Sequence, residues 1–581
     1  MSNSNIPPLR KFFSLLKPDR KDIGYVYMYA VLIGVLALVG PLGVQAIINL
    51  IAGGTFNASL VVLVAIVTGA SVLVGALKVM QYVIAETLQR RLFTRAAFEF
   101  AYRLPRIKLS AFQAHYPPEL VNRFFDTVTV QKGLPKILLD FSGAVMQIIF
   151  GLVLVSLYHP FFAIFGAVLA ILLFLLMYLI APAGLDTSLK ESKYKYRVAG
   201  WLEDIGRASN TFKLAGGERL TMRRTNDLLT GYLDARGSHF RILLIHYSGL
   251  IVFQALVTAF FLLLGGKLVI DNQINIGQFV AAEIVILLIL SSAEKLIFSL
   301  DVVYDTLTGV EKISNVTDLP LEEDGALSFA AVDSGKGMVV SATDLHFTYP
   351  ETGMKALNGI NFRFEANERI CIAGYNRSGR STLVQCLAGM HTDYEGLLAF
   401  NQTPMGNLKL SDLRQAIGDY SFEESIIPGN LIDNICLGHP DVDFHRVQWA
   451  LGVAQLSGWV SEQTKGYDFE LIAEGLNVPR SVRVRLLLAR AIVRKPRLLV
   501  LGNLLDQLEP TIRKSIMREL TDHRQSWTFV ILSNDPVIAQ SCDRVLLLRK
   551  GKILLDDTPE VALKDAATND IWVASRPDIK G

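Results

Sequence analysis

Six stretches of roughly 20 or more predominantly apolar residues fill most of the first 300 positions, and a run of that length is what a helix needs to cross the hydrocarbon core of a bilayer. They extend from about Ile23 to Leu50, Leu60 to Ile84, Ile137 to Leu157, Phe161 to Pro182, Ile242 to Leu264 and Ile276 to Leu300. A helix of a soluble domain keeps a polar face, which these lack, so a soluble fold is not expected for this half. A mean hydropathy of +0.36 and a hydrophobic fraction of 51% agree. At 581 residues the chain exceeds one hydrophobic core, so two or more domains are expected.

Basic residues set the direction. The links after the first, third and fifth stretches carry one Lys or Arg between them, whereas residues 184–241 alone carry eleven. Positive charge stays inside, so both termini are predicted to be cytoplasmic, in a bacterial inner or plasma membrane. Residues 1–22 then form a cytoplasmic N-terminal segment without the compact apolar region and small-residue cleavage site of a signal peptide. The two long links, about 85–136 and 183–241, are polar and helix-compatible and would extend the spans into the cytoplasm. Net charge is only +3, which says little about partners, and no nucleic-acid partner is expected. Cys371, Cys386, Cys436 and Cys542 show no metal-binding or disulfide spacing and read as buried, reduced thiols. Acids inside spans are costly, which singles out Glu283 and, paired with Lys295 at the interface, Glu294. Phe161, Phe162 and Phe165 read as lipid-facing packing, and Arg90, Arg91 and Arg95 as a cytoplasmic helix face or an attraction for anionic headgroups.

After a Gly-, Ser- and Asp-bearing linker at 316–337, strands alternate with helices from residue 338 to 581. Strands deliver the chain into GYNRSGRST, residues 374–382, and STLVQCLAGM follows as a helix. The nucleotide-cradling loop reads G-x-x-x-x-G-K-[ST], and Gly374, Gly379 and Ser381 keep that spacing while Arg380 stands at the lysine. Long cytoplasmic links such as HYPPELVNRFFDTVT and WLEDIGRASNTFKLAGGERL accompany the spans. In this combination the whole chain resembles an exporter-type ABC transporter half. The resemblance implies a transmembrane domain over 23–315 with six α-helical spans, then an α/β nucleotide-binding domain of P-loop type. It also implies a dimer, a homodimer or a heterodimer with another ABC half, in which ATP lies between the loop of one half and the signature of the other.

Position by position, the motifs depart from the family. Asn376, Ser378, Gly379, Arg380, Ser381 and Thr382 keep the loop, but Arg377 replaces its middle glycine and either crowds the cradle or reaches into it. A planar guanidinium at Arg380 does not fit a slot shaped for an ammonium. In RLLVLGNLLDQLEP, Gly502 stands where the resemblance implies the magnesium-holding aspartate and Asn503 where it implies the glutamate that polarises water. An amide cannot act as a general base at neutral pH, and Asp506 nearby reads as a surface acid. Val478, Pro479, Arg480, Ser481 and Val482 replace the L-S-G-G-Q signature, Phe422 the magnesium-contacting glutamine and Asn534 the switch histidine. Tyr349 matches the aromatic that stacks on adenine. ATP is therefore expected to bind weakly or not at all, Ser381 remains as a residual magnesium-ligand position without a metal site, and hydrolysis is not expected. A regulator, scaffold or transport subunit in contact with membrane lipid, docking a secretion or biosynthetic protein, is the leading reading. The alternative is an ATP-driven subunit that exports a peptide, lipid or other amphipathic cargo with an active partner half.

Overall fold

The computed structural model describes residues 7–52, 58–113, 117–420, 425–564 and 571–572. The chain divides into two compact units, with the boundary between Leu321 and Glu322.

The first unit is helical: α1 (Pro8–Leu16), α2 (Arg20–Ala37), α3 (Val39–Ala52), α4 (Ala58–Arg103), α5 (Leu109–Gln113), α6 (Pro117–Asn122), α7 (Asp126–Pro135), α8 (Ser142–Tyr158), α9 (Pro160–Arg207), α10 (Ser209–Leu214), α11 (Glu218–Ile270) and α12 (Ile276–Thr317). Among the described residues, five helical stretches are long and apolar enough to cross a bilayer: Pro8–Ile51, Ala58–Arg106, Glu119–Tyr158, Glu218–Ile270 and Ile276–Thr317. The fourth expected span is represented by a shorter apolar stretch, Pro160–Leu175, that opens the 48-residue α9. Pro182, where the sequence suggests a span end, lies inside that helix. A proline removes one helical hydrogen bond, and the packing of α9 along α11 and α12 offsets the loss.

Side chains explain how the long helices hold together. Phe162 and Phe165 turn inward and stack on Phe261 and Phe260 at 5.6 and 5.4 Å, while Phe161 stays exposed, so only one of the three is outward-facing. Between α9, α11 and α12 the buried His239 hydrogen-bonds with Thr187 Oγ1 at 2.9 Å and Asp301 Oδ1 at 3.3 Å. Glu294 accepts from Gln254 Nε2 at 3.4 Å, and no ion pair with Lys295 occurs among the described residues. The arginine stretch is divided as well: Arg90 pairs with Glu86 on its own helix, whereas Arg91 and Arg95 reach back to Asp19 and Asp22.

The second unit contains two main sheets. A four-stranded antiparallel sheet has the order β2 (Lys355–Phe364), β1 (Val340–Thr348), β4 (Glu395–Phe400), β5 (Thr403–Pro404). The six-stranded sheet runs β12 (Lys552–Asp557), β11 (Arg544–Arg549), β3 (Arg369–Gly374), β10 (Thr528–Leu532), β9 (Leu498–Leu501), β6 (Ile417–Tyr420), parallel except at β12. A two-residue ladder joins β7 (Gly429–Asn430) to β8 (Glu470–Leu471). Side chains alternate across β3: Ile370 and Ile372 join one core, Cys371 and Ala373 the other. Both faces of the parallel sheet are therefore buried, as near-continuous apolar strands require. All four cysteines are buried free thiols. The stretch expected as a linker is split by packing, since α12 runs to Thr317, Phe329 is buried in the second unit, and Glu322 pairs with Arg414 there at 2.6 Å.

Candidate functional site

Parallel sheets collect ligand sites at the carboxyl ends of their strands, and the candidate site lies where β3 ends. There the chain turns through residues 374–379 into α13 (Arg380–Leu387), presenting backbone N–H groups at a helix start. The backbone keeps a sharply bent path. Gly374 has φ 150°, and a Cβ there would lie 2.3 Å from the Leu548 carbonyl oxygen. Gly379 has φ 99°, with its Cβ position 2.4 Å from the Ala356 oxygen. Between them Arg377 takes the left-handed conformation, φ 63°, that a glycine would adopt without strain. Its side chain and that of Asn376 are exposed. Ser378 is buried, and its Oγ has no partner among the described residues.

Arg380 and Asn534, 154 positions apart, are joined. Arg380 Nη1 donates to Asn534 Oδ1 at 2.6 Å. The same oxygen accepts the Gly374 N–H at 3.1 Å, and Asn534 Nδ2 returns a hydrogen bond to the Gly374 carbonyl at 3.1 Å. One amide thus closes a ring over the first residue of the loop and takes up the loop's cation. Burial pushes the Arg380 guanidinium below its ordinary pKa, with Cys371 and Asp506 opposing the shift. Sequence reasoning treats Arg380 and Asn534 as two separate losses; their complementary donor and acceptor chemistry was the one available sign that they meet.

The remaining positions fall into two groups. Ser381 is exposed, its hydroxyl making no hydrogen bond among the described residues, whereas the hydroxyl of the buried Thr382 is committed to the Tyr349 hydroxyl at 3.0 Å. Tyr349 also lies 3.5 Å from Gln385 Oε1, and its ring sits edge-on to Phe347 and His391. The aromatic is therefore fixed to α13 by its own hydroxyl. His391 is buried and hydrogen-bonds with Gln385 Oε1 at 2.7 Å, and burial pushes its imidazole down to about 4. At the end of β9 the buried Gly502 donates its N–H to the Tyr420 carbonyl at 2.8 Å, and the exposed Asn503 opens a short 3-10 turn to Gln507. Asp506 accepts from Ser533 Oγ at 3.4 Å, and Arg513 pairs with Asp535 at 3.1 Å. Val478 and Val482 anchor the signature-position segment in the core, leaving Pro479, Arg480 and Ser481 exposed at the start of the helix Arg480–Ile492. Proline there supplies no N–H. Phe422 lies outside the described residues.

Two family models match the chain, the ABC transporter transmembrane region over residues 23–293 and ABC transporter over residues 357–504, in the order that the two units display. The chain is an exporter-type ABC transporter half. This exporter half is similar to the solved structure of a bacterial Atm1-family ABC exporter with ATP bound, at TM-score 0.85 and 16% identity, covering 96% of this chain and 100% of that one. Among curated proteins it is 24% identical over 338 residues to the alpha-hemolysin translocation ATP-binding protein HlyB of Proteus vulgaris, covering 58% of this chain and 47% of that protein. To the mesentericin-Y105 transport/processing ATP-binding protein MesD of Leuconostoc mesenteroides it is 23% identical over 465 residues, covering 79% and 63%. The chain thus spans about half to three-fifths of the length of these relatives.

For an ABC half the implied ligand is ATP with magnesium, and the site fits the two unequally. The bent backbone and the orphaned Ser378 Oγ suit an anion, but the loop's cation is held by Asn534. Gly502 and Asn503 bring no carboxylate to the end of β9, so the donor set there does not fit a divalent cation, which takes oxygen ligands.

Proposed function

We propose that this exporter half crosses the membrane six times with both termini in the cytoplasm, and works in a dimer without hydrolysing ATP at its own loop. Its role is that of a regulator, scaffold or transport subunit that docks a secretion or biosynthetic protein. The observation that carries this reading is the Asn534 amide, which occupies both the Gly374 N–H and the Arg380 guanidinium. Removing a single positioned group commonly costs about 100 to 1,000-fold in rate. Here the acids, the signature glycines and the switch histidine are all replaced, and such losses do not multiply among groups that act together. Phosphate release by the purified full-length chain in lipid, with magnesium and ATP, is expected at background. Turnover at a transporter's rate that disappears in Arg380→Ala would overturn the proposal.

The orphaned Ser378 hydroxyl and the exposed Ser381 favour a second reading. In it the chain is one half of an ATP-driven exporter of a peptide, lipid or other amphipathic cargo, and an intact partner half supplies the chemistry. The names of the secretion relatives agree with such cargo. Co-purification of a motif-intact ABC half with vanadate-sensitive ATPase activity would select this reading over the first.

A further inference from the structure

At the N-terminus, α1 places Leu9, Phe12, Phe13 and Leu16 at the i, i+3, i+4, i+7 spacing of one helical stripe. Phe12 and Leu16 are buried, yet Leu9 and Phe13 keep 53% and 58% of their surface, so the stripe is only half covered. All four line a cavity of about 620 Å³. Opposite them lie Ile137, Leu138 and Phe141 of a π-helical turn, Lys136–Phe141, that interrupts the run from α7 to α8. Such turns bulge the helix and are frequent at functional sites. The roof is fixed in place, because Lys11 of α1 pairs with Glu311 at 3.2 Å and Asp318 at 3.3 Å, at the end of α12.

Charge divides unevenly along this segment. Among the described residues, the only charged side chains on the cavity wall are Lys17 and Arg20, both exposed. The acids beside them in sequence are engaged elsewhere: Asp22 pairs with Arg91 at 2.6 Å, and the buried Asp19 with both Arg91 and Arg95. No ion pair or hydrogen bond from the Lys17 or Arg20 side chain occurs among the described residues, so an apolar cavity is rimmed by two unmatched cations near the start of the helical unit.

We propose that this cavity is a site for an anionic phospholipid, with an acyl chain against Phe13 and Leu138 and the phosphate group between Lys17 and Arg20. An apolar wall alone would accept any chain, and the two cations select the anionic headgroup. The site does not depend on whether the protein hydrolyses ATP.

The test uses full-length Phe13→Trp protein in nanodiscs containing brominated-acyl phosphatidylglycerol or brominated-acyl phosphatidylcholine, with titration of the glycerolipid fraction. The signal is the fluorescence of the introduced indole, taken as the difference from the parent chain. Its quenching is expected at a lower fraction of phosphatidylglycerol than of phosphatidylcholine. Adding Lys17→Gln and Arg20→Gln reduces that preference by about 30-fold, from the contribution expected for two basic residues near an anionic surface. Arg90→Gln, whose partner is Glu86, leaves it unchanged. Gly24 also lines the cavity, and a Cβ there meets nothing within 4 Å, so Gly24→Phe narrows the space without a clash at the backbone and weakens quenching by both lipids. Equal quenching by the two lipids, or a preference that survives the double glutamine variant, would overturn the proposal. So would an indole on α1 shielded from both lipids, as a second copy or a protein seated on that helix would make it.

Discussion

Replacing Asn534 by alanine separates the structural role of the amide from its effect on the nucleotide loop. Three hydrogen bonds disappear: the one from Arg380 at 2.6 Å and the two exchanged with Gly374 at 3.1 Å. A bond to a charged group contributes roughly 1.5–3 kcal/mol and a neutral one roughly 0.5–1.5 kcal/mol. Because the three share one half-buried amide and water replaces part of them, the net cost is about 2 kcal/mol. For a unit of this size, with 1 kcal/mol shifting Tm by about 2–4 °C, the transition should fall by about 4–8 °C. Scanning calorimetry or fluorescence melting at one fixed scan rate reads this, since large membrane proteins unfold irreversibly. Binding of a fluorescent ATP analogue gives the second, opposite readout. Asn534→Ala frees the Gly374 N–H and the Arg380 cation, so the analogue binds more tightly while the fold weakens. Asn534→Asp keeps an acceptor for Arg380 but sets a negative charge beside the phosphates, so binding is weaker than in the alanine variant. A Tm change within about 1 °C together with unchanged analogue affinity would refute the ring of contacts as the element that closes the loop.

Three further outcomes follow from other contacts. Arg414→Ala removes a two-pronged pair with Glu322 at 2.6 and 2.7 Å and a bond to the Gly389 carbonyl at 2.6 Å. It should cost about 2–4 kcal/mol and open residues 322–337 to limited proteolysis of the full chain. His391, pushed down to about 4 by burial, binds protons less readily folded than unfolded, so its neutral form stabilises the protein above pH 6.5 and that contribution is lost as pH falls toward 4. Stability from this group should drop by about 2 kcal/mol between pH 7 and pH 5, read from denaturation midpoints, and His391→Gln should flatten that part of the profile. Installing both acids, as Gly502→Asp with Asn503→Glu, should leave phosphate release at background while Asn534 and the segment Val478–Val482 are unchanged.

Much of the architecture could be read from sequence because the relevant signals are local. A run of 20 apolar residues or a G-x-x-x-x-G spacing declares itself within one window, and so the helical unit and the β3–α13 turn fall where expected. Contacts between distant positions were hidden. Arg91 and Arg95 look like a free basic face until Asp19 and Asp22, more than 60 positions earlier, come to them. Tyr349 reads as an open aromatic platform, and only the fold brings Thr382 to its hydroxyl. Pro182 is a helix breaker by local rules, overridden by neighbours that pack along α9. The π-helical turn at Lys136–Phe141 has no recognised pattern in sequence at all.

The shape of the loop and the chemistry of the loop are separate matters, and Arg377 shows why. A non-glycine residue at φ 63° costs roughly 1 kcal/mol in the left-handed region, so something else must hold the turn. The holders are structural: Gly374 lies against Leu548, Gly379 against Ala356, and the Gly551 N–H donates to the Ser378 carbonyl at 2.9 Å. These contacts join β3, β2 and the β11–β12 turn whether or not a phosphate is present, so a bent loop by itself does not testify to ATP. Arg377→Gly should then relieve the strain, raising stability by roughly 1 kcal/mol or less after the extra freedom of the unfolded chain is counted. Phosphate release should stay at background. If the substitution instead destabilised the protein by more than about 1 kcal/mol, or switched on turnover, the Arg377 side chain would have to be a working part of the site, and the separation of shape from chemistry would fail.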